Sequence, residues 1–150
     1  MSEPLDIEAL RSDYLNQVFD EKTFELTAED IAQYSASCGE LAPRYTSPGH
    51  PDFQAPPTMV ASLQPYNRLP DGFPEIAGLG MDAGRAVAVF EPIRPGVRLT
   101  GRTHMHDIYT KTGRSGRMVF FVKRMEVNGP DGARLAHADT STVIRERPDA

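Results

Sequence analysis

Eight of the chain's 13 prolines fall between Pro43 and Pro74, and this density constrains the fold more than any other feature. Proline lacks a backbone N–H and fixes φ, so the stretch cannot form a regular sheet. Long ordered loops in compact domains often carry function, and this one is long. Within it, Pro57 suits the first turn of a helix. Val60, Leu63 and Tyr66 would form that helix's buried stripe, and Pro65 should end or kink it after about two turns.

The 150 residues are enough for one domain with a proper core and too few to suggest two. Apolar content of 39% and charged content of 25% are those of an ordinary globular chain. A net charge of −5 and a pI near 5.3 argue against a nucleic-acid partner bound through phosphates. No apolar run approaches the roughly 20 residues of a membrane span. The start, Met1 to Asp6, is acidic and lacks the basic and apolar parts of a signal peptide. Cys38 is the single cysteine, which excludes an internal disulfide and fits a reducing cytoplasm.

Before the proline-rich segment the pattern is helical. Leu5, Ile7, Leu10 and Tyr14 suggest a short amphipathic helix, so residues 1–21 read as a leader packed on a single domain of residues 22–150. Thr23 to Leu26 looks like a short strand. Thr27 then caps a second helix, with Glu29 and Asp30 in its first turn. Ile31, Tyr34, Ser35 and Cys38 share one face of it, and Gly39 is its stop. After Gly84 the pattern changes to strands: residues 86–90, 98–110, 117–127 and 133–145, with turns at 112–116 and 128–132. The last three make an antiparallel meander. The fold class is α+β, with the helix after Pro57 covering the apolar face of the sheet.

Several side chains are candidates for chemistry. His104 and His106 lie two apart on a strand and face the same way, but no further Cys or His pair completes a zinc set, so no metal is expected. Arg114 and Arg117 flank a glycine turn able to meet a phosphate, although a solvated hairpin turn is the simpler reading. Cys38 has no activating base nearby in sequence, which favours a packing role. Glu40, directly after a helix end, reads equally as a general base or as a surface carboxylate.

Four motifs in order, Ile31 to Glu40, Ala55 to Thr58, Pro92 to Gly96 and Tyr109 to Val119, resemble one known superfamily. It is the hotdog fold of MaoC-like dehydratases and (R)-specific enoyl-CoA hydratases, and the similarity spans roughly residues 22–146. The chain looks most like the FAS1-like, or MaoC N-terminal, dehydratase domain. The resemblance implies a central helix wrapped by a curved antiparallel sheet, with two such units side by side. It also implies acyl-CoA at the interface and no cofactor.

Hydratases of this superfamily carry a Gly-Asp-x-Asn-Pro-x-His pattern, whose Asp and His activate water. Here the corresponding stretch is Gly39-Glu40-Leu41-Ala42-Pro43-Arg44-Tyr45. Gly39 and Pro43 match, whereas Glu40 replaces Asp and Tyr45 replaces His. Tyrosine, with a pKa near 10, is a poor base at neutral pH. His50, five residues on, is the available substitute. The resemblance therefore implies a degenerate hotdog half completing an acyl-CoA site beside a catalytic MaoC-like subunit. Pro56, Pro57 and Thr58 would shape the start of the central helix, Tyr45 would line the substrate, and Arg114 or Arg117 would meet CoA phosphates. A self-sufficient homodimeric hydratase or thioesterase using Glu40 and His50 is the alternative, and a non-catalytic acyl-CoA-binding module is another. The early stop at Pro65 departs from the family's longer helix and would admit a bulky acyl group.

Overall fold

A computed structural model describes residues 5–65 and 67–146. Tyr66, expected on the helical stripe, lies outside the described residues. The order of elements is α1 (Ile7–Tyr14), β1 (Val18–Glu25), α2 (Ala28–Ser37), α3 (Pro43–Thr46), α4 (Pro57–Ser62), β2 (Gly78–Val89), β3 (Arg98–Gly113), β4 (Gly116–Asn128) and β5 (Arg134–Glu146). The strands form one five-stranded antiparallel sheet in the order β1-β3-β4-β5-β2. The meander β3-β4-β5 is the centre of this sheet, as the turn residues predicted. β1 and β2 are its outer strands.

Both outer strands begin earlier than their sequences suggest. β1 starts at Val18 rather than Thr23, and β2 at Gly78 rather than Ala86. Glycines at 78, 80 and 84 disfavour a strand locally, but the ladder to β5 supplies the missing preference. α3 is a short helix inside the proline-rich segment that the sequence reading did not foresee, with Pro43 at its start, where the absent N–H costs nothing.

One face of the sheet is buried. Leu99, Met125, Val127, Ala136 and Ala138 pack under Ile31 of α2 and Met59 and Val60 of α4. Further along, Met105, Ile108 and Phe121 pack under Leu10 of α1, with Tyr14, Leu69 and Phe73 around them. The inward series on β3 changes parity from Met105 to Ile108. A bulge between Met105 and Asp107 makes this possible, because one extra residue returns the alternation to the same face. Gly101 sits where a Cβ would come within 3.0 Å of the Met125 sulfur and 3.1 Å of Phe24, so the strand there accepts only glycine without repacking.

α4 has six residues and ends at Ser62, before Pro65, in agreement with the proline signal. Its buried residues are Met59 and Val60. Gln64, just beyond it, is also buried, and so is Lys123 on the inward face of β4. Burial, and after it the charge of Arg85, pushes the Lys123 pKa down. Cys38 is exposed rather than packed, because it lies past the last turn of α2 as its C-cap. Among the described residues no helix is long and apolar enough to cross a membrane.

Candidate functional site

The site begins with the way α2 starts and stops. At its start, the Thr27 side chain accepts the Asp30 N–H and the Asp30 carboxylate accepts the Thr27 N–H, both at 3.0 Å. This reciprocal cap holds the Asp30 carboxyl below the usual carboxylate range, chiefly through the bond from the Thr27 backbone. At its end, Gly39 has φ of 71°, a left-handed conformation that glycine adopts without a Cβ penalty. Gly39 N–H donates to Ala36 O at 3.1 Å and Glu40 N–H donates to Ser35 O at 3.0 Å. This paired closure turns the chain sharply and sets Glu40 just beyond the helix.

The Glu40 carboxylate then turns back on its own loop. Its Oε1 accepts the N–H groups of Leu41 and Ala42, both at 2.9 Å. Ala42 is the N-cap of α3 and makes no side-chain cap bond; Glu40 instead ties down the two N–H groups that lead into the helix. Leu41 is left 87% exposed, the most exposed large apolar side chain on the molecule's described surface.

The rest of the loop is stapled to the chain after β2. Asp52 pairs with Arg94 at 2.9 Å, Arg94 donates to Phe53 O at 3.1 Å, and Ala55 N–H donates to Ile93 O at 2.9 Å. Phe53 and Ala55 are buried beneath this lacing. His50 is part of the same turn, and its Nδ1 accepts the Asp52 N–H at 3.1 Å. That bond leaves Nε2 as the protonated nitrogen of the neutral ring.

Cys38, Gly39, Glu40, Leu41, Pro56 and Thr58 line a cleft of about 500 Å³. Three of the candidate residues thus come together, namely Glu40, Pro56 and Thr58, and Pro57 lies between the last two as the first residue of α4. His50 and Tyr45 are not among the lining residues. Tyr45 sits half-buried on α3. The lining therefore offers a carboxylate, a hydroxyl and a thiol, but no imidazole. Cys38 and Leu41 are cleft residues that sequence reasoning did not place there. Leu41 carried a signal, being the one large apolar side chain between Gly39 and Pro43.

The arginines stand elsewhere. Arg114 and Arg117 lie at the β3–β4 turn, while the cleft lies near the other end of the sheet, where Val127 and Ala136 pack under α4. At about 3.3 Å per strand residue, the two ends of β4 are roughly 40 Å apart. Arg117 is engaged by Glu146, at 2.6 and 2.9 Å, and by Leu5 O at 3.0 Å. Arg114 is exposed.

His104 and His106 face each other on the outer face, Nε2 to Nδ1 at 3.3 Å. Among the described residues, no set of three or more His, Cys, Asp or Glu side chains is grouped to hold a metal ion. The two histidines stand beside a different arrangement, the pair of Arg124 and Asp139 at 2.7 and 2.8 Å. Burial is the first cause lowering the pKa of both His104 and His137 there.

Known proteins share this architecture. A MaoC-like dehydratase from Phytophthora capsici superposes with a TM-score of 0.66 at 20% identity, covering 93% of this chain, which spans 50% of that one. The ChsH1–ChsH2 complex from Mycobacterium tuberculosis gives 0.67 at 14% identity over 95% of this chain and 92% of the other. The HadBC (3R)-hydroxyacyl-ACP dehydratase complex from the same organism gives 0.66 at 18% over 87% and 98%. In sequence, the UPF0336 protein SCO4636 of Streptomyces coelicolor is 29% identical over 139 residues, 85% of this chain and 89% of that protein. The α+β arrangement described above is the hotdog fold of these neighbours. Residues 15–138 match the family described as the FAS1-like dehydratase domain region, and the chain belongs to that family of MaoC-like hotdog dehydratase domains.

Proposed function

We propose that this chain is the substrate-lining half of a two-chain enoyl-thioester hydratase, working beside a MaoC-like subunit that carries the acid–base pair. The observation that carries this reading is the state of Glu40. One of its oxygens is committed to Leu41 and Ala42, and no imidazole lines its cleft. Hydration needs a base positioned on a water molecule and an acid to complete the addition. A lone carboxylate used as a loop cap is poorly suited to both roles.

In the proposed reaction, water adds across a trans-2-enoyl thioester, or leaves the matching 3-hydroxyacyl thioester. The partner's Asp and His handle the protons. This chain contributes the cleft walls, Pro56, Thr58 and the exposed Leu41, with Pro57 opening α4 between them, while Tyr45 on α3 stays outside the lining. The substrate is an acyl-CoA or related acyl thioester, and the setting is cytoplasmic. Two-component relatives support the arrangement, since ChsH1–ChsH2 and HadBC are both described as complexes. The second unit joins at β2, an outer strand whose Leu79 and Met81 are exposed. Arg114, exposed and distant from its own cleft, is available to a thioester carrier's phosphate only from a neighbouring unit.

The test is hydration of crotonyl-CoA by the purified chain, alone and co-expressed with a MaoC-like protein encoded beside it. The expected result is activity only in the co-expressed sample. Activity of the isolated chain, abolished by Glu40→Gln, would sink the two-chain reading in favour of a homodimer using Glu40 and His50. Acyl-CoA binding without turnover in either sample would instead indicate a binding module.

A further inference from the structure

We infer that the outer face of the sheet, at its β3–β4 hairpin end, is a docking surface for an acidic amphipathic helix of a partner protein. Two rows of side chains cross the sheet there. Tyr109, Phe120, Val143 and Met81 stand opposite one another on β3, β4, β5 and β2. Two residues nearer the hairpin, in the same strand order, come Lys111, Met118, Arg145 and Leu79. Ile108, Phe121 and Ile144 belong to the inner cluster, so by alternation both rows face outward.

The first row is apolar from edge to edge, apart from one phenol hydroxyl. Its Tyr109 and Phe120 rings stack with centroids 4.9 Å apart and planes within 1°. Lys111 Nζ lies 5.7 and 5.4 Å from these two centroids, so its stem runs along the aromatic pair. Leu79 and Met81 are exposed where the rows reach β2. The solvated face of an antiparallel sheet is normally polar, and a continuous apolar row on it points to an occupant.

Charge selects that occupant. The chain has a net charge of −5, yet neither row contains a carboxylate. Among the described residues, Lys111 and Arg145 form no ion pair. A second copy of this chain is disfavoured, because a two-fold contact would bring these cations onto their own copies. An anionic membrane is disfavoured by the acidity of the rest of the chain and by the absence of tryptophan, which favours the lipid interface. An acidic protein segment meets neither objection. The two cations stand two strands apart, about 9.6 Å, and the rows are about 6.6 Å apart. On an α-helix, carboxylates seven residues apart are about 10.5 Å apart along one flank. A helix laid across the strands therefore sets its apolar stripe on the first row and its acids on the second.

The experiment titrates the full chain into a fluorescein-labelled peptide of about 18 residues, with leucine at helical spacing and glutamate on the flanks, and reads anisotropy. A scrambled peptide of the same composition, a lysine-for-glutamate version and vesicles of phosphatidylglycerol with phosphatidylcholine are the other probes. The acidic helix alone is expected to bind, saturably and less tightly as salt rises. Lys111→Glu with Arg145→Glu, both at the surface, is expected to weaken it about tenfold or more. Arg98→Glu, at the far end of β3, should stay within about twofold, since it lies several screening lengths away. Equal binding of the scrambled or basic peptide, indifference to the double charge reversal, or no binding of any peptide overturns the proposal. Binding to vesicles but not to the acidic peptide replaces it with a lipid surface. A change of sedimenting mass in the charge-reversed variant, without peptide, replaces it with a contact between copies of this chain.

Discussion

Glu40 Oε1 accepts the Ala42 N–H at 2.9 Å, so the residue standing where the family places its acid fastens the loop that leads into α3. Removing this acceptor takes the partner from two loop N–H groups and should cost stability on the order of a typical hydrogen bond. Glu40→Ala is expected to lower unfolding free energy by about 1 kcal/mol, and Glu40→Gln, which keeps an acceptor oxygen, by less than half of that. Urea denaturation checks the difference, and equal losses would mean that the charge rather than the acceptor matters.

Gly39 should be as sensitive for a different reason. Its φ of 71° imposes a strain on any residue with a Cβ, although open space surrounds the position. Gly39→Ala is expected to cost about 1 kcal/mol and Gly39→Asn less, since asparagine tolerates the left-handed region. The same titration measures it. A neutral Gly39→Ala would show that the turn relaxes into another closure.

On the outer face, Arg124 grips Asp139 with two hydrogen bonds, and both side chains are largely shielded, at 20% and 15% exposure. Asp139→Asn should cost about 2 kcal/mol, because the half-buried guanidinium then loses its charged acceptor beside His104 and His137. An effect below about 0.5 kcal/mol would place this pair among ordinary surface ion pairs.

The same cluster gives stability a dependence on pH. His104 and His137 have pKa values pushed below the ordinary 6.5, first by burial. The folded chain therefore binds fewer protons than the unfolded chain as pH falls through that value. Stability is full above about pH 6.5 and declines below it, as the unfolded histidines protonate first. Asp139, whose burial works against its charge but whose carboxyl the Arg124 bonds and nearby positive charges still hold low, adds a second decline below about pH 4. Thermal melts from pH 8 downward should show the first decline, and a His104→Gln, His137→Gln double variant should flatten it. A wild-type melt unchanged between about pH 7.5 and 5.5 would contradict it.

Assembly should depend on β2. Leu79 is 50% exposed and Met81 is 41% exposed on this outer strand. Leu79→Asp with Met81→Asp is expected to shift the purified protein toward lower mass in sedimentation velocity while leaving its circular dichroism intact. An unchanged sedimentation profile would move the proposed pairing to another surface.

Much of the architecture was legible in local chemistry. Gly39 as a helix stop, Pro57 as a helix start, Pro65 as the limit of α4 and the turns bounding β4 all act within a few residues of themselves. The motif positions Glu40, Pro56 and Thr58 were legible too, and the fold gathers them around one cleft. Each of these features depends on backbone dihedrals or donor counts that belong to a residue and its neighbours.

What remained hidden depends on partners far away in the chain. The strand at Gly78 is held by β5, more than fifty residues later, against the local preference of its glycines. Arg117 looked available to a phosphate until the fold brought Glu146 to it. Gln64 and Lys123 look like surface residues by type, yet the sheet and the shortened α4 bury them against each other's elements. The sequence by itself determined the breaks, caps and order of elements, because those are local energies. Only the tertiary structure decided which polar side chains became caps, pairs or buried links, because their hydrogen-bond partners and their burial come from the packing of distant segments.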